Sequence, residues 1–178
     1  MSQAAGALDG PRGGEDDRAP SPIEESTVAA IVDSIEIRRR PEDVFSYWTD
    51  PSHQAEWQEN LVSARLEGGG PLGVGSRMTE TRRIGRGERT LTSELTEYDP
   101  PRRFAFRGID GPVRAVGKGT LEPLEDGARS RVTIELDFEG HGIGKLLVPL
   151  FVRRQARSEV PRSQQNLKER LERQRGPD

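Results

Sequence analysis

The chain has 178 residues, room for one ordinary domain, with 31% hydrophobic and 32% charged residues and a net charge of −3. It has no cysteine and only two histidines, which excludes a disulfide framework, a cysteine nucleophile and thiolate zinc or iron–sulfur sites, and no metal or other cofactor is expected. No apolar run approaches the roughly 18 residues that span a bilayer, so no stable membrane insertion is expected.

Residues 1–25 hold six acids and two arginines among glycines and prolines, a balance of −4. Such a segment buries too little apolar surface to offset its ordering entropy, so a disordered acidic tail is expected over 1–25. It has no apolar stretch behind a basic start, hence no secretory signal, and a cytoplasmic location follows as the expectation. Residues 142–178 hold nine basic and four acidic side chains, a balance of +5. That is too sparse a cationic footprint to argue for nucleic acid. The domain itself is placed at 26–174, with a disordered end at 175–178.

In chain order, residues 26–37 are β-branched and partly alternate, with Ile31, Asp33, Ile35 and Ile37 on one face, which predicts a strand. Pro41, Glu42 and Asp43 then open a short helix to about Thr49. Asp50-Pro51 breaks it, and Ser52 is placed to cap a second short helix ending near Trp57. Beyond it the apolar residues recur at every second position, predicting strands at Leu61–Glu67, Ser76–Ile84, Arg89–Tyr98, Arg103–Arg107, Val113–Pro123 and Arg129–Phe138. Connectors this short imply antiparallel neighbours and a meander. From Gly142 to about Arg173 helical spacing returns, with Ile143, Leu147, Leu150 or Phe151, Val160, Leu167 and Leu171 as an intermittent stripe. Pro149 and Pro161 are expected to kink that helix.

An antiparallel sheet and a long amphipathic helix must join their apolar faces, which gives an α+β two-layer domain. Whether the layers meet fully or leave a ligand cavity is not decided by the pattern. The segments SIEIRRRPEDVFSYWTDPSHQAEWQ (34–58), GGGPLGVGSRM (68–78), TEYDPPRRFAFR (96–107), GTLEPLEDGARSRVTIELDFE (119–139) and the terminal GIGKLLVPLFVRR with NLKERLE resemble the bacterial polyketide cyclase and dehydrase branch of the START and Bet v 1-like (SRPBCC) superfamily. The resemblance covers about Ser26 to Glu172. It implies a helix-grip fold, in which a seven-stranded curved antiparallel sheet wraps a long C-terminal helix around a hydrophobic cavity, with two short helices after the first strand. It also implies a polyketide-, lipid- or aromatic-type ligand in that cavity, and for some members cofactor-independent cyclisation or dehydration. The matched segments are scaffold motifs and transfer no catalytic residue.

Ring closure of a reactive chain needs a cavity that bends it and polar groups that steer protons. Arg82, Glu94, Tyr98 and Arg107 are the catalytic candidates, with Glu80 and Arg114 also in reach. For each, a solvated outer-face charge or a cross-strand ion pair is the ordinary alternative, and register decides. Tyr98 also stands where a tyrosine packs against the following Asp99-Pro100-Pro101 turn. Trp48, Trp57, Phe104, Phe106, Leu136, Leu147 and Phe151 are the candidate ligand-contacting residues, although Trp48 and Trp57 more ordinarily anchor short helices. His53 and His141 read as loop or capping histidines, and the glycines of 68–75 form no phosphate loop because no Lys-Ser or Lys-Thr follows. Leu146 to Phe151 is apolar on more than one face, and burial over the cavity mouth is the favoured expectation. Three functions stay open: a cyclase-like enzyme, a non-catalytic carrier of a small hydrophobic ligand, and an interaction or stress-response module with a filled cavity.

Overall fold

The β-branched residues that follow the chain's acidic start form strand β1 (Ile31–Ile37), and two short helices, α1 (Pro41–Thr49) and α2 (Pro51–Trp57), come next. The computed structural model describes residues 30–174, without the side chains of residues 149 and 150. The expected tail at 1–25, the beginning of the first expected strand at 26–29 and the end at 175–178 lie outside the described residues. Pro41 sits in the first turn of α1, where a missing N–H breaks no bond, and Glu42 and Asp43 face the positive end of the helix dipole. The cap of α2 is Asp50, not Ser52. Its carboxylate accepts from the Ser52 backbone N–H at 2.8 Å and from the Ser52 hydroxyl at 2.7 Å, because the proline at 51 holds residue 50 in the extended conformation that a cap requires.

Six strands then run as a meander: β2 (Leu61–Leu66), β3 (Arg77–Ile84), β4 (Gly87–Asp99), β5 (Arg103–Gly108), β6 (Val113–Leu124) and β7 (Arg129–Gly140). The sheet order is β1-β7-β6-β5-β4-β3-β2, antiparallel throughout. Two rows of directly opposed residues cross most of the inner face. One runs Leu95, Phe106, Gly117, Leu136, Ile31; the other runs Tyr98, Phe104, Gly119, Ile134, Asp33. The glycines are what allow these rows to hold large rings. A Cβ on Gly117 would collide with the Phe106 ring, and one on Gly119 would collide with the Phe104 ring and lie 2.6 Å from Cη2 of Trp48. Trp48 meets Phe104 edge-on at 4.8 Å, and Phe45 meets Phe104 and Tyr98 at 6.1 and 5.5 Å, within the range that favours aromatic pairs. Around them Ile37, Val44, Leu121, Val132, Leu167 and Leu171 complete the core.

The final helical segment is α3 (Gly144–Leu147), a π-helical turn (Val148–Val152) and α4 (Arg153–Arg173). The proline at 149 falls in the π turn, whose wider ring tolerates the missing donor. At Pro161 the expected kink does not end the helix: α4 stays helical through it. Pro161 is exposed, on the side where water can take up the carbonyl that the proline leaves without a donor. The C-terminal half of α4 is clamped. The Arg38 backbone N–H and guanidinium donate to Glu172 at 2.9 and 3.2 Å, and Arg39 Nε donates to the Leu171 carbonyl at 2.8 Å. Across the helix, Asn60 donates to Glu159 at 2.6 Å, the Glu59 N–H to the Ser163 hydroxyl at 3.1 Å, and Asn166 to the Trp57 carbonyl at 3.2 Å.

Gly119→Ala is expected to lower the unfolding free energy by roughly 1–3 kcal/mol, the cost of overpacking a filled core. Gly87→Ala, where nothing lies within 4 Å of the added Cβ, should change it by less than about 0.5 kcal/mol. Urea denaturation of both variants checks the pair.

Candidate functional site

Burial is graded along the inner face of the sheet. Where α1 and the clamped half of α4 cover it, Ile37, Val132, Leu121 and Phe104 are 0, 0, 4 and 8% exposed. Towards the other end, Leu91, Ser93, Phe106, Ala115, Leu136 and Phe138 share the inner face by register yet are only half-buried. Leu147 and Val152, on the helical segment above β6 and β7, are half-buried too. Met78, Leu95 and Ile31, on the same stretch, are buried, so the helical layer covers it in part and leaves the other inward apolar side chains partly accessible along an apolar cleft between the sheet and the start of the helical segment.

Strand alternation sets a polar pair on the same face. Met78 and Glu80 oppose Ser93 and Leu91, and Arg82 opposes the buried Leu61, so Glu80 and Arg82 point inward. Arg82 Nε donates to Glu80 Oε2 at 2.8 Å, and its Nη2 donates to Gln58 Oε1 at 2.5 Å. The two side chains are 27 and 18% exposed. Of the five N–H donors of Arg82, three have no partner among the described residues. Because Glu80 neutralises the guanidinium, those donors suit a carbonyl or hydroxyl oxygen better than a free anion.

The other candidates are distributed differently. Glu94 and Arg107 oppose one another on the outer face, where Glu94 also pairs with Arg77 at 3.4 Å. A bulge after Leu95 is responsible: Glu97 is opposite Ala105 and Tyr98 opposite Phe104, so Tyr98 turns inward while Glu94, four residues earlier, stays outside. Arg114 opposes Glu139, also on the outer face. Tyr98 packs its ring on Phe45 inside the core. Trp48, Trp57 and Phe104 are buried at 3, 7 and 8% exposure and hold the short helices to the sheet. Phe106, Leu136 and Leu147 border the cleft, whereas Phe151 is 64% exposed and Leu146 67%. Burial of the 146–151 lip is thus overturned for these two side chains. The π turn faces Val148 inward and Phe151 outward.

Two concavities lie outside the cleft. One, of about 380 Å³, runs beside α1 and α2 past Tyr47, Asp50 and His53; the other, of about 510 Å³, lies beside Pro41, Pro101 and Leu121. In the first, the His53 ring stacks on Tyr47 at 4.5 Å, and both side chains bond to Glu56, at 2.9 and 3.0 Å. Burial, and then the bond to the Glu56 carboxylate, pushes the Tyr47 hydroxyl up to about 12. His53 therefore ties α2 to α1. His141 is exposed beside Glu139, at 3.5 Å.

Three inward polar residues escape a motif search. Gln58 follows α2 and is found only through its bond to Arg82. Gln164 takes a place in the apolar stripe of α4, 2% exposed, with neither amide atom hydrogen-bonded among the described residues. Asp33 stands in the inner row opposite Ile134, between Ile31 and Ile35, and burial raises its carboxyl above the usual range. A charge at the apolar parity of β1 was its signal in the sequence.

A curved antiparallel sheet that grips a long C-terminal helix beside an apolar cleft defines the helix-grip class. Residues 28–172 match the family described as polyketide cyclase / dehydrase and lipid transport, and the chain belongs to that family. No curated protein matches the sequence. Among solved structures, TTHA0849 from Thermus thermophilus superposes with a TM-score of 0.67 at 20% identity, over 83% of this chain and 99% of that one. The Zhui aromatase/cyclase from a Streptomyces species, strain R1128, gives 0.64 at 16% identity, over 81% and 93%. The di-domain aromatase/cyclase BexL of the BE-7585A biosynthetic pathway gives 0.65 at 16%, over 82% of this chain and 47% of that one. At these identities the likeness is one of fold.

Asp33→Asn removes a charge that burial disfavours. The carboxylate costs stability above its raised folded pKa, and that cost disappears below the unfolded value. The variant is therefore expected to melt above wild type at pH 7.5, with the difference shrinking as the pH falls towards 4. Thermal melts across that range check it.

Proposed function

We propose that the protein binds a small hydrophobic molecule of polyketide, aromatic or lipid type in the cleft between the sheet and the start of its long helix. The observation that carries this is the half-burial of Leu91, Phe106, Leu136 and Phe138 on the inner face, beyond the stretch where Ile37, Leu121 and Val132 are sealed. Membership of a family described by both polyketide cyclisation and lipid transport supports the same ligand class. The Arg82–Glu80–Gln58 cluster gives the cleft one polar end, so the ligand carries a carbonyl or hydroxyl there.

The same cluster favours a catalytic version. Intramolecular aldol closure requires an enol carbon held roughly 3–3.5 Å from a carbonyl carbon. A donor must take up the developing alkoxide, and a base must accept the proton of the attacking carbon. Spare N–H groups of Arg82 suit the first task and the Glu80 carboxylate the second. The new carbon–carbon bond forms as the carbonyl opens to an alkoxide, which takes the proton from the carboxyl formed on Glu80 and becomes a hydroxyl. In the dehydration the regenerated Glu80 carboxylate removes a second proton from the same carbon and passes it to that hydroxyl, which leaves as water as the carbon–carbon double bond forms. Arg82 and Glu80 are the groups on which this version rests. Glu94 and Arg107, facing away, are not part of it.

A hydroxylated anthraquinone added to the full chain is expected to quench the emission of Trp48 and Trp57 saturably. Replacing the ion pair by E80M/R82M leaves no unpaired charge and should weaken binding by about 10- to 100-fold, as expected for losing one bond to a charged donor worth ~1.5–3 kcal/mol. Phe106→Asp should abolish it. Absence of saturable quenching, together with no molecule extracted from the purified protein, overturns the binding proposal. For the catalytic version, E80Q is expected to slow conversion of a linear poly-β-ketone at unchanged affinity, and an unchanged rate overturns it.

A further inference from the structure

The lip of the cleft carries an arrangement that ligand binding does not require. Ile143, Leu146 and Phe151 are 67, 67 and 64% exposed, although the same segment buries Val148 and half-buries Leu147 and Val152. Their alignment comes from the π turn. Ile143 and Leu146 are three residues apart, one helical turn. In the wider turn the Arg153 N–H bonds to the Val148 carbonyl five residues back, so Phe151, five after Leu146, comes round to the same side. The strip then turns basic at the same spacing, since Arg154 and Arg157 follow Phe151 at three and six residues. Arg154, Arg157 and Lys145 are exposed, and none of the three is in an ion pair among the described residues. Arg153, by contrast, is turned to Asp137 at 2.5 Å.

Residues 140–158 contain no acid, in a chain whose net charge is −3. The preceding carboxylates, Asp137 and Glu139, lie beside Arg153 and His141. Cations alone would suit any polyanion. Three large apolar side chains at two-thirds exposure also need an apolar phase to enter, and neither a phosphate backbone nor a hydrophilic acidic peptide offers one. The chain's own acidic residues 1–25 are rich in glycine and proline and lack an apolar run to match the strip. An anionic lipid surface offers both, as headgroup charge above and acyl chain below. No helix among the described residues is long and apolar enough to cross a membrane. A strip three side chains long is on the scale of interfacial contact.

We propose that Ile143, Leu146 and Phe151, flanked by Lys145, Arg154 and Arg157, form a docking surface for anionic lipid membranes, reversible and peripheral, which brings the mouth of the cleft against the bilayer. The proposal stands whether or not the cleft is loaded, and its test uses empty vesicles. The full chain is mixed with phosphatidylcholine vesicles with and without phosphatidylglycerol, and binding is read by co-sedimentation. Binding is expected to the anionic vesicles only, and to fall as salt is added. Leu146→Asp and Phe151→Asp should abolish it with circular dichroism and melting unchanged, since both positions are exposed. Should either variant fail to fold, K145Q, R154Q and R157Q provide the same test at exposed charges, each expected to lower partitioning about fivefold.

Equal binding to neutral vesicles, or binding indifferent to all five substitutions, overturns the proposal. So does binding that appears only when residues 1–25 are removed, because the tail would then be the occupant of the strip.

Discussion

The seating of two phenylalanine rings on two glycines is the constraint from which the rest of the molecule follows. Phe104 over Gly119 and Phe106 over Gly117 bring β5 and β6 together with no side chain between ring and backbone. Only a hydrogen at those Cα positions lets rings of this size lie so low, and only rings so placed leave room for Trp48 to descend edge-on from α1. The packing density of a protein interior leaves little slack for an alternative. The two rings also have different fates. Phe104 lies under Trp48 of α1 and is buried in the core. Phe106, one step further along β5, is half-buried at the edge of the cleft, although Leu95 and Ile31 in its own row are buried. Core and cleft thus meet at neighbouring positions of one strand.

Much of this was legible in the sequence, and the parts that were not share a cause. The strands and helices fall within a few residues of their expected bounds, because period-2 alternation, Asp50-Pro51 and the short glycine-rich connectors are local signals. The inward parity of β1 was readable too, Asp33 included. What local pattern could not supply was the bulge after Leu95. Counting along β4 puts Glu94 and Tyr98 on one face; the extra residue puts them on opposite faces, and two of the four candidate catalytic side chains, Glu94 and Arg107, turn away together. A bulge depends on pairing with β5, which is a property of two strands and not of either alone. The π turn had the same effect on the lip. A regular helical count merges Leu147 with Leu150 or Phe151 into one stripe, whereas the wider turn sends Phe151 to solvent.

The polar groups of the inner face divide by role. Arg82 and Glu80 satisfy each other and leave donors over. Gln164, deep under α4, has neither amide atom bonded within the described residues, an arrangement that costs about 1–3 kcal/mol for each orphaned group. A fold that keeps such a residue at a position where leucine would continue the stripe spends stability in the helix interface, close to the clamp that holds α4.

That clamp has a chemical polarity of its own. On the β1 and α2 side the contacts of the helix run through carboxylates: its own Glu172, bonded to Arg38, and Glu56 of α2, which faces Arg170 at 3.6 Å as well as Tyr47 and His53. Burial pushes the Glu172 carboxyl up, but the Arg38 N–H and guanidinium outweigh it, and bonds from His53 and Tyr47 lower Glu56. Both groups therefore add stability that is present at neutral pH and lost as the pH falls through their depressed values. The π turn and α3, at the other end of the segment, rest on shape, with Gly144 pressed against the backbone of Pro112, and on the pairing of Arg153 with Asp137. Acid that protonates Glu172 and Glu56 should accordingly loosen the clamped end, because the bonds from Arg38, His53 and Tyr47 that fix the helix against β1, α1 and α2 are lost with the two charges.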